Sequence, residues 1–192
     1  MVIDDVLPAY DANRVEHVTV GAEPVRVYSH LLEVDLMQAR REGPGGRALF
    51  AARDAPAELA RRVRGRRPAP PDEPLRLEEL EPEGTWVKLG EDFGKEFVFG
   101  AVGWMHGTEI VWRPVEASDF SRFKEPGSVR VAVNLSVQSF GIGRSVLSCE
   151  ARARATDARA RRRLLLVWRA GSPAIRLAMR GALNHIRKLS ED

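Results

Sequence analysis

The chain has 192 residues, 44% of them hydrophobic and 30% charged, which suits one domain with a substantial core and is too little for two of ordinary size. Its 30 Lys and Arg against 27 Asp and Glu leave a net charge of only +3, which argues against a dedicated nucleic-acid binder. A lone cysteine, Cys149, excludes an internal disulfide framework and a thiolate-rich zinc site, and predicts a reducing, cytoplasmic setting. The opening MVIDDVLPAYDANR carries acids where a secretory leader needs a basic start, and the longest apolar run, Phe97 to Met105, is about half a membrane span. No transmembrane segment is expected.

In chain order, Arg14 to Val20 alternates like a strand with two different faces. Pro24 then suits a first helical turn, with Val25, Tyr28, Leu31 and Leu32 at helical spacing. GPGG at 43–46 breaks the chain, and Asp54 can cap a second short helix ending near Gly65. Five prolines between 66 and 84 exclude a helix interior or a central strand there, so this stretch is a loop inside a single domain spanning 1–192. It joins the basic RRVRGRR at 61–67 to an acidic stretch that can neutralise it.

From Thr85 to Ala155 the period is two, with turn residues at Gly90 to Gly94, Gly107, Lys124 to Ser128 and Phe140 to Gly143. An antiparallel meander follows from that spacing. One face carries Val129, Val131, Val133, Leu135 and Val137; in the next strand Ser145, Leu147, Cys149, Ala151, Ala153 and Ala155 oppose Glu150, Arg152 and Arg154. The final quarter is helical again: Thr156 or Asp157 caps a segment that Gly171 can end, and Pro173 starts another with Ile175, Met179, Ala182, Leu183, Ile186 and Leu189 in one stripe. The sheet is the large apolar surface on which that stripe can lie, giving an α+β fold.

The chemistry-bearing residues are sparse. His17, His30, His106 and His185 have no metal-ligand spacing, so no metal or other cofactor is expected. His106, in WMHG at a hairpin end, could titrate at a pocket mouth, and Glu96, at a strand start, could serve as a general base. There is no GxSxG, and GIGRS at 141–145 precedes a strand rather than a helix, so nucleotide binding lacks support. Arg152, Arg154, Arg159, Arg161, Arg162 and Arg163 form the strongest charge cluster, yet no aromatic stacking platform accompanies them.

Strand, short helices, meander and terminal helix form the helix-grip plan, a curved antiparallel sheet wrapped around a long C-terminal helix. HVTVGAEPVRVYSHLLEVDL (17–36), LGEDFGKEFVFGAVGWM (89–105) and CEARARATDARARRRLLLVWRAGSPAIR (149–176) resemble corresponding stretches of the SRPBCC superfamily, which includes START-type lipid-transfer domains and polyketide cyclases/dehydrases. Cys149 and Ala151 stand where the uncharacterised bacterial members that these stretches resemble have two threonines. The resemblance implies a cavity between sheet and helix for a hydrophobic or amphipathic small molecule, lipid-, quinone- or polyketide-like, in a monomer or homodimer. Phe97, Phe99, Trp112, Val133, Leu135, Cys149, Met179, Leu183 and Ile186 are the expected lining. Its alternative implication is a cyclase/dehydrase in which Glu96 or His106 moves protons in that cavity.

Overall fold

The computed structural model describes residues 1–39, 74–107 and 109–192. The expected helix capped by Asp54, the basic run at 61–67 and the first half of the Pro-rich loop lie outside them. The order is α1 (Val2–Val6), β1 (Ala12–Val20), α2 (Pro24–Glu33), α3 (Leu36–Ala39), a 3-10 turn (Leu77–Glu79), β2 (Glu83–Gly84), β3 (Val87–Asp92), β4 (Glu96–His106), β5 (Glu109–Arg113), β6 (Val115–Glu116), α4 (Ala117–Phe120), β7 (Ser128–Ser139), β8 (Ser145–Ala155) and α5 (Ala158–Glu191). The main sheet is antiparallel in the order β1-β8-β7-β4-β3, with β5 beside the second half of β4, and β2 pairs separately with β6. This is an α+β helix-grip fold.

Register explains how one sheet builds two cores. Phe97 of β4 lies opposite Leu135 of β7, which lies opposite Cys149 of β8, which faces Glu16 of β1; the next inner row is Phe99, Val133, Ala151 and Arg14. This inner face meets α5 through Met179, Ala182, Leu183 and Ile186. Burial of a single aliphatic side chain such as Leu183, fully covered here, contributes roughly 1.5–3 kcal/mol. The alternate residues Val98, Val102 and Ala132 face outward, where Ile3 and Leu7 of the α1 region and Phe120 of α4 cover them. Because β4 is covered on both sides, its sequence is a continuous apolar run rather than an alternation. Gly100 makes the outer packing possible: a Cβ there would sit 2.6 Å from Leu89 Cδ1 and from the Val131 carbonyl oxygen.

The helix α1 was not apparent in the sequence pattern, since five residues are too few for periodicity. It is fixed by polar groups. The Glu96 carboxylate accepts hydrogen bonds from the backbone amides of Val2 (3.1 Å) and Ile3 (3.5 Å) and from Asn134 Nδ2 (2.8 Å). Arg152 holds the other end, donating to the carbonyl oxygens of Ile3 and Leu7 and pairing with Asp4 (2.8 Å) and Glu150 (2.7 Å). Asp35 joins the two ends of the excursion after α3, its Oδ1 accepting from the amides of Met37 and Leu75.

Two helical details differ from expectation. In α2 the inward face is Val27, Tyr28 and Leu31, whereas Val25 is exposed, because the helix turns its phase to place Tyr28 against β3; there the Tyr28 hydroxyl donates to Glu91 (2.5 Å). In α5, Asp157 is the N-cap, accepting from the amides of Arg159 and Ala160, but the helix does not end at Gly171. It runs unbroken through Ser172 and Pro173 for 34 residues. Pro173 removes one i→i−4 donor, the one that would serve the carbonyl of Arg169, itself an exposed residue. Packing of Ala160 and Leu164 on one side and of Met179 and Leu183 on the other holds both halves to the same sheet.

Candidate functional site

The helix α5 lies mainly across β1 and β8, so the inner face toward β4, β3 and β5 is walled by aromatic side chains instead. Trp86 stands between Phe99 (ring centroids 5.7 Å apart) and Trp112 (5.4 Å). Trp112 reaches this position because it pairs with Gly103, whose missing side chain leaves room: a Cβ on Gly103 would lie 2.6 Å from Ile110 Cγ2 and 3.1 Å from Trp112 Cε3. Val133 of β7, beside Phe99 in the inner row, and Trp168 and Ile175 of α5 pack at the margin of the same core and are half-buried, as are Trp86 and Trp112. A hollow of about 390 Å³ opens beside Trp86, with Met37, Leu75 and Leu80 as its apolar side and Glu79, Glu81 and Glu83 on its rim. Arg76 pairs with Glu79 (3.1 Å).

Seven of the nine expected lining residues are brought together: Phe97, Phe99, Leu135, Cys149, Met179, Leu183 and Ile186 belong to one buried cluster. Val133 packs at its margin, and Trp112 joins through Trp86. The seven are almost completely covered and touch one another as core. None of the nine lines the hollow beside Trp86. Nor do they line the hollow along the outer side of α5 near Asn184 and Lys188, or the one beside Pro82 and Ser118.

Glu96 and His106 stand at the two ends of β4, about 33 Å apart along the strand. The Glu96 carboxylate faces outward, occupied by α1 and Asn134, on the side away from Phe97 and Phe99. His106 is exposed at the β4–β5 turn. Glu150 and Arg152, on the strand face opposite Cys149, also lie on this outer side, in the α1 clamp described above.

Sequence reasoning missed two participants. Trp86 precedes β3 just after a proline-rich stretch, where no alternation marks its face. Glu16, on an edge strand among exposed residues, ties α5 to β1: Arg180 (2.8 Å), Arg14 (3.3 Å) and Arg176 (3.4 Å) surround it, and Arg14 also donates to the Ser172 hydroxyl. Burial works against the Glu16 charge, but the Arg180, Arg14 and Arg176 guanidiniums outweigh it and hold the carboxyl below its usual range. Burial also pushes the Cys149 thiol up to about 12, with the Glu150 and Glu16 charges adding to it, so this cysteine is not a thiolate nucleophile. Among the described residues no group of His, Cys, Asp and Glu is placed to hold a metal ion, and no helix is long and apolar enough to cross a membrane.

No protein-family model and no curated protein matches the sequence. Among solved structures, a hypothetical protein from Helicobacter pylori is similar at 12% identity and a TM-score of 0.38, over 95% of this chain and 92% of that one. The Zhui aromatase/cyclase from a Streptomyces species is similar at 13% identity and a TM-score of 0.29, over 94% of this chain and 93% of that one. The fold class stated above rests on this chain's own strand order and terminal helix.

Proposed function

We propose that the chain is a single SRPBCC-type domain, cytoplasmic in setting, that binds a hydrophobic or amphipathic small molecule against the Trp86–Phe99–Trp112 wall. The observation that carries the reading is the hollow of about 390 Å³ beside Trp86, at the margin of an inner-face core where Trp86, Trp112, Val133, Trp168 and Ile175 stay half-buried while their neighbours are fully covered. Water against such surface is displaced favourably by an apolar ligand. The mouth beside Trp86 is apolar inside and acidic at its rim, through Glu81 and Glu83, so the polar end of the ligand is neutral or cationic. The pocket works by binding without covalent chemistry. A cyclase/dehydrase reading would require an acid-base group on this wall, and Glu96 and His106 are both elsewhere.

Native mass spectrometry of freshly purified protein, followed by a thermal-shift panel of lipids, quinones and polyketides, tests the proposal. A ligand at about one hundred times its dissociation constant should add about 2.7 kcal/mol to stability. Trp86→Ser should abolish the retained mass and the shift. A panel with no response, or one equally strong in Trp86→Ser, would remove the assignment.

A further inference from the structure

The outer face of the sheet, on the side opposite the proposed pocket, carries a row of arginines that the fold does not neutralise. Arg113 of β5 and Arg130 of β7 flank Val102 of β4 in register, and Arg130 lies directly opposite Arg154 of β8. All three belong to the alternate set that points outward, the set containing Val98, Ala132 and Arg152. Like charges directly opposite in a sheet are destabilising unless something of opposite sign lies between them. Among the described residues no carboxylate pairs with any of the three. Asp11, at the β1 end of the row, is taken by Arg161 (2.8 Å) and by the amide of Ala155; Glu125 accepts from Trp104 Nε1 (3.1 Å); Asp119 is exposed on α4.

The donors themselves are incompletely used. Arg130 donates through Nη1 to the carbonyl oxygens of Phe120 and Ser121, but its Nε is buried with no partner. Arg154 spends one nitrogen on the Ala9 carbonyl (3.2 Å). Two residues before Arg130 on the same strand face, Ser128 is fully buried and its hydroxyl also has no partner. Burial and the neighbouring Arg154 charge both lower the Arg130 pKa. The Arg113 guanidinium carbon stands over the Trp104 ring, 3.9 Å from its centroid, and Arg122 and Lys124 are exposed in the segment after α4.

Two arginines directly opposite in register without a counter-charge, and a third held against an indole, are the parts of an oxyanion site. We infer that the Arg113–Arg130–Arg154 row binds a phosphate group, from a soluble phosphate ester or a phospholipid head. The tetrahedral oxyanion supplies the counter-charge that the Arg130–Arg154 pair lacks. This site is independent of the pocket on the inner face.

The test is a titration with inorganic phosphate, followed by amide NMR at constant ionic strength with chloride exchanged for phosphate. Saturable shifts at Trp104, Arg113, Arg130 and Arg154 are expected. Arg154→Gln should weaken binding by about ten-fold or more, the loss of one or two charge-assisted hydrogen bonds. Arg113→Gln should also weaken it, and an Arg159→Gln, Arg162→Gln double variant on α5 should bind as the parent does. These variants are chosen because Arg130 itself supports α4, and its replacement would test folding as well. Glycerol phosphate, and phosphatidylcholine vesicles with or without phosphatidic acid, distinguish the source: Arg154-dependent binding of the ester alone indicates a soluble ligand, and Arg154-dependent binding to the acidic vesicles indicates a lipid head. Shifts that do not saturate, that chloride reproduces, or that persist in Arg154→Gln overturn the inference. So does binding to single-stranded DNA that depends equally on Arg159 and Arg162.

Discussion

Replacement of Glu96 by Ala tests whether this carboxylate is a structural clamp. The change removes the acceptor for the amides of Val2 and Ile3 and for Asn134 Nδ2. Val2 is only partly covered and water can satisfy it, but Ile3 is fully buried and Asn134 is 1% exposed. Each buried donor left without a partner costs about 1–3 kcal/mol. The chain has one escape, which is to release α1. That exposes Ile3 and Leu7 at about 3–6 kcal/mol but returns the backbone freedom of several residues, at about 1–2 kcal/mol each. Apolar contact alone therefore does not hold the segment, and with Arg152 still tying Ile3, Leu7 and Asp4, Glu96→Ala should loosen its Val2–Ile3 end at a net loss of about 2–4 kcal/mol. For a chain of this length the melting temperature should fall roughly 4–16 °C. Urea unfolding gives the free energy, and hydrogen exchange of the first seven amides gives the location. A variant within about 0.5 kcal/mol of the parent, with unchanged exchange at Val2 and Ile3, would refute the clamp.

Gly171→Ala should stabilise the protein by about 0.5–1 kcal/mol, since the residue sits inside α5, outside the positive-φ glycines, and a Cβ placed on it would meet nothing within 4 Å. A loss of stability in thermal melts would mean the helix ends there. Cys149 should resist iodoacetamide at pH 8 in the native protein and react after unfolding, because it is 5% exposed and its thiol is pushed up to about 12; labelling read by mass spectrometry that is fast without denaturant would contradict its placement. Glu16 carries a depressed carboxyl pKa, so its contribution is present above the usual value of 4.5 and is lost as pH falls through the lower folded value. Denaturation curves of the parent and of Glu16→Gln should therefore differ at neutral pH and converge in acid; a constant difference down to the lowest pH would exclude the arginine cage as the cause.

The inner face was legible in the sequence because its strands obey period two and its helix obeys period 3.6. Val129 to Val137, Leu147 to Ala153, and Met179, Leu183 and Ile186 could all be assigned a side from spacing alone. What spacing could not supply was the outer layer. The α1 clamp joins Glu96 to residues more than ninety positions away, and no local pattern announces that an acid at a strand start caps a distant helix. The break expected at Gly171 failed for a related reason. Gly, Ser and Pro in succession are local stop signs, but the flanking apolar residues on both sides find the same sheet, and tertiary packing outweighs the local preference. Trp112 belonged to the lining that the resemblance implied, whereas Trp86 came to the wall from irregular chain. The arginine row was hidden because Arg113, Arg130 and Arg154 are far apart in sequence and adjacent only through strand register.

An unbroken α5 of 34 residues is about 51 Å long and is anchored at both ends, by Ala160 and Leu164 near Met105 and by Leu183 and Ile186 near Leu31. It behaves as a beam clamped at two supports, so swinging one end outward would tear the packing at the other. Any widening of the hollow beside Trp86 therefore falls to the small pieces that line it, the α3 turn and the Leu77–Glu79 turn, while the beam stays still.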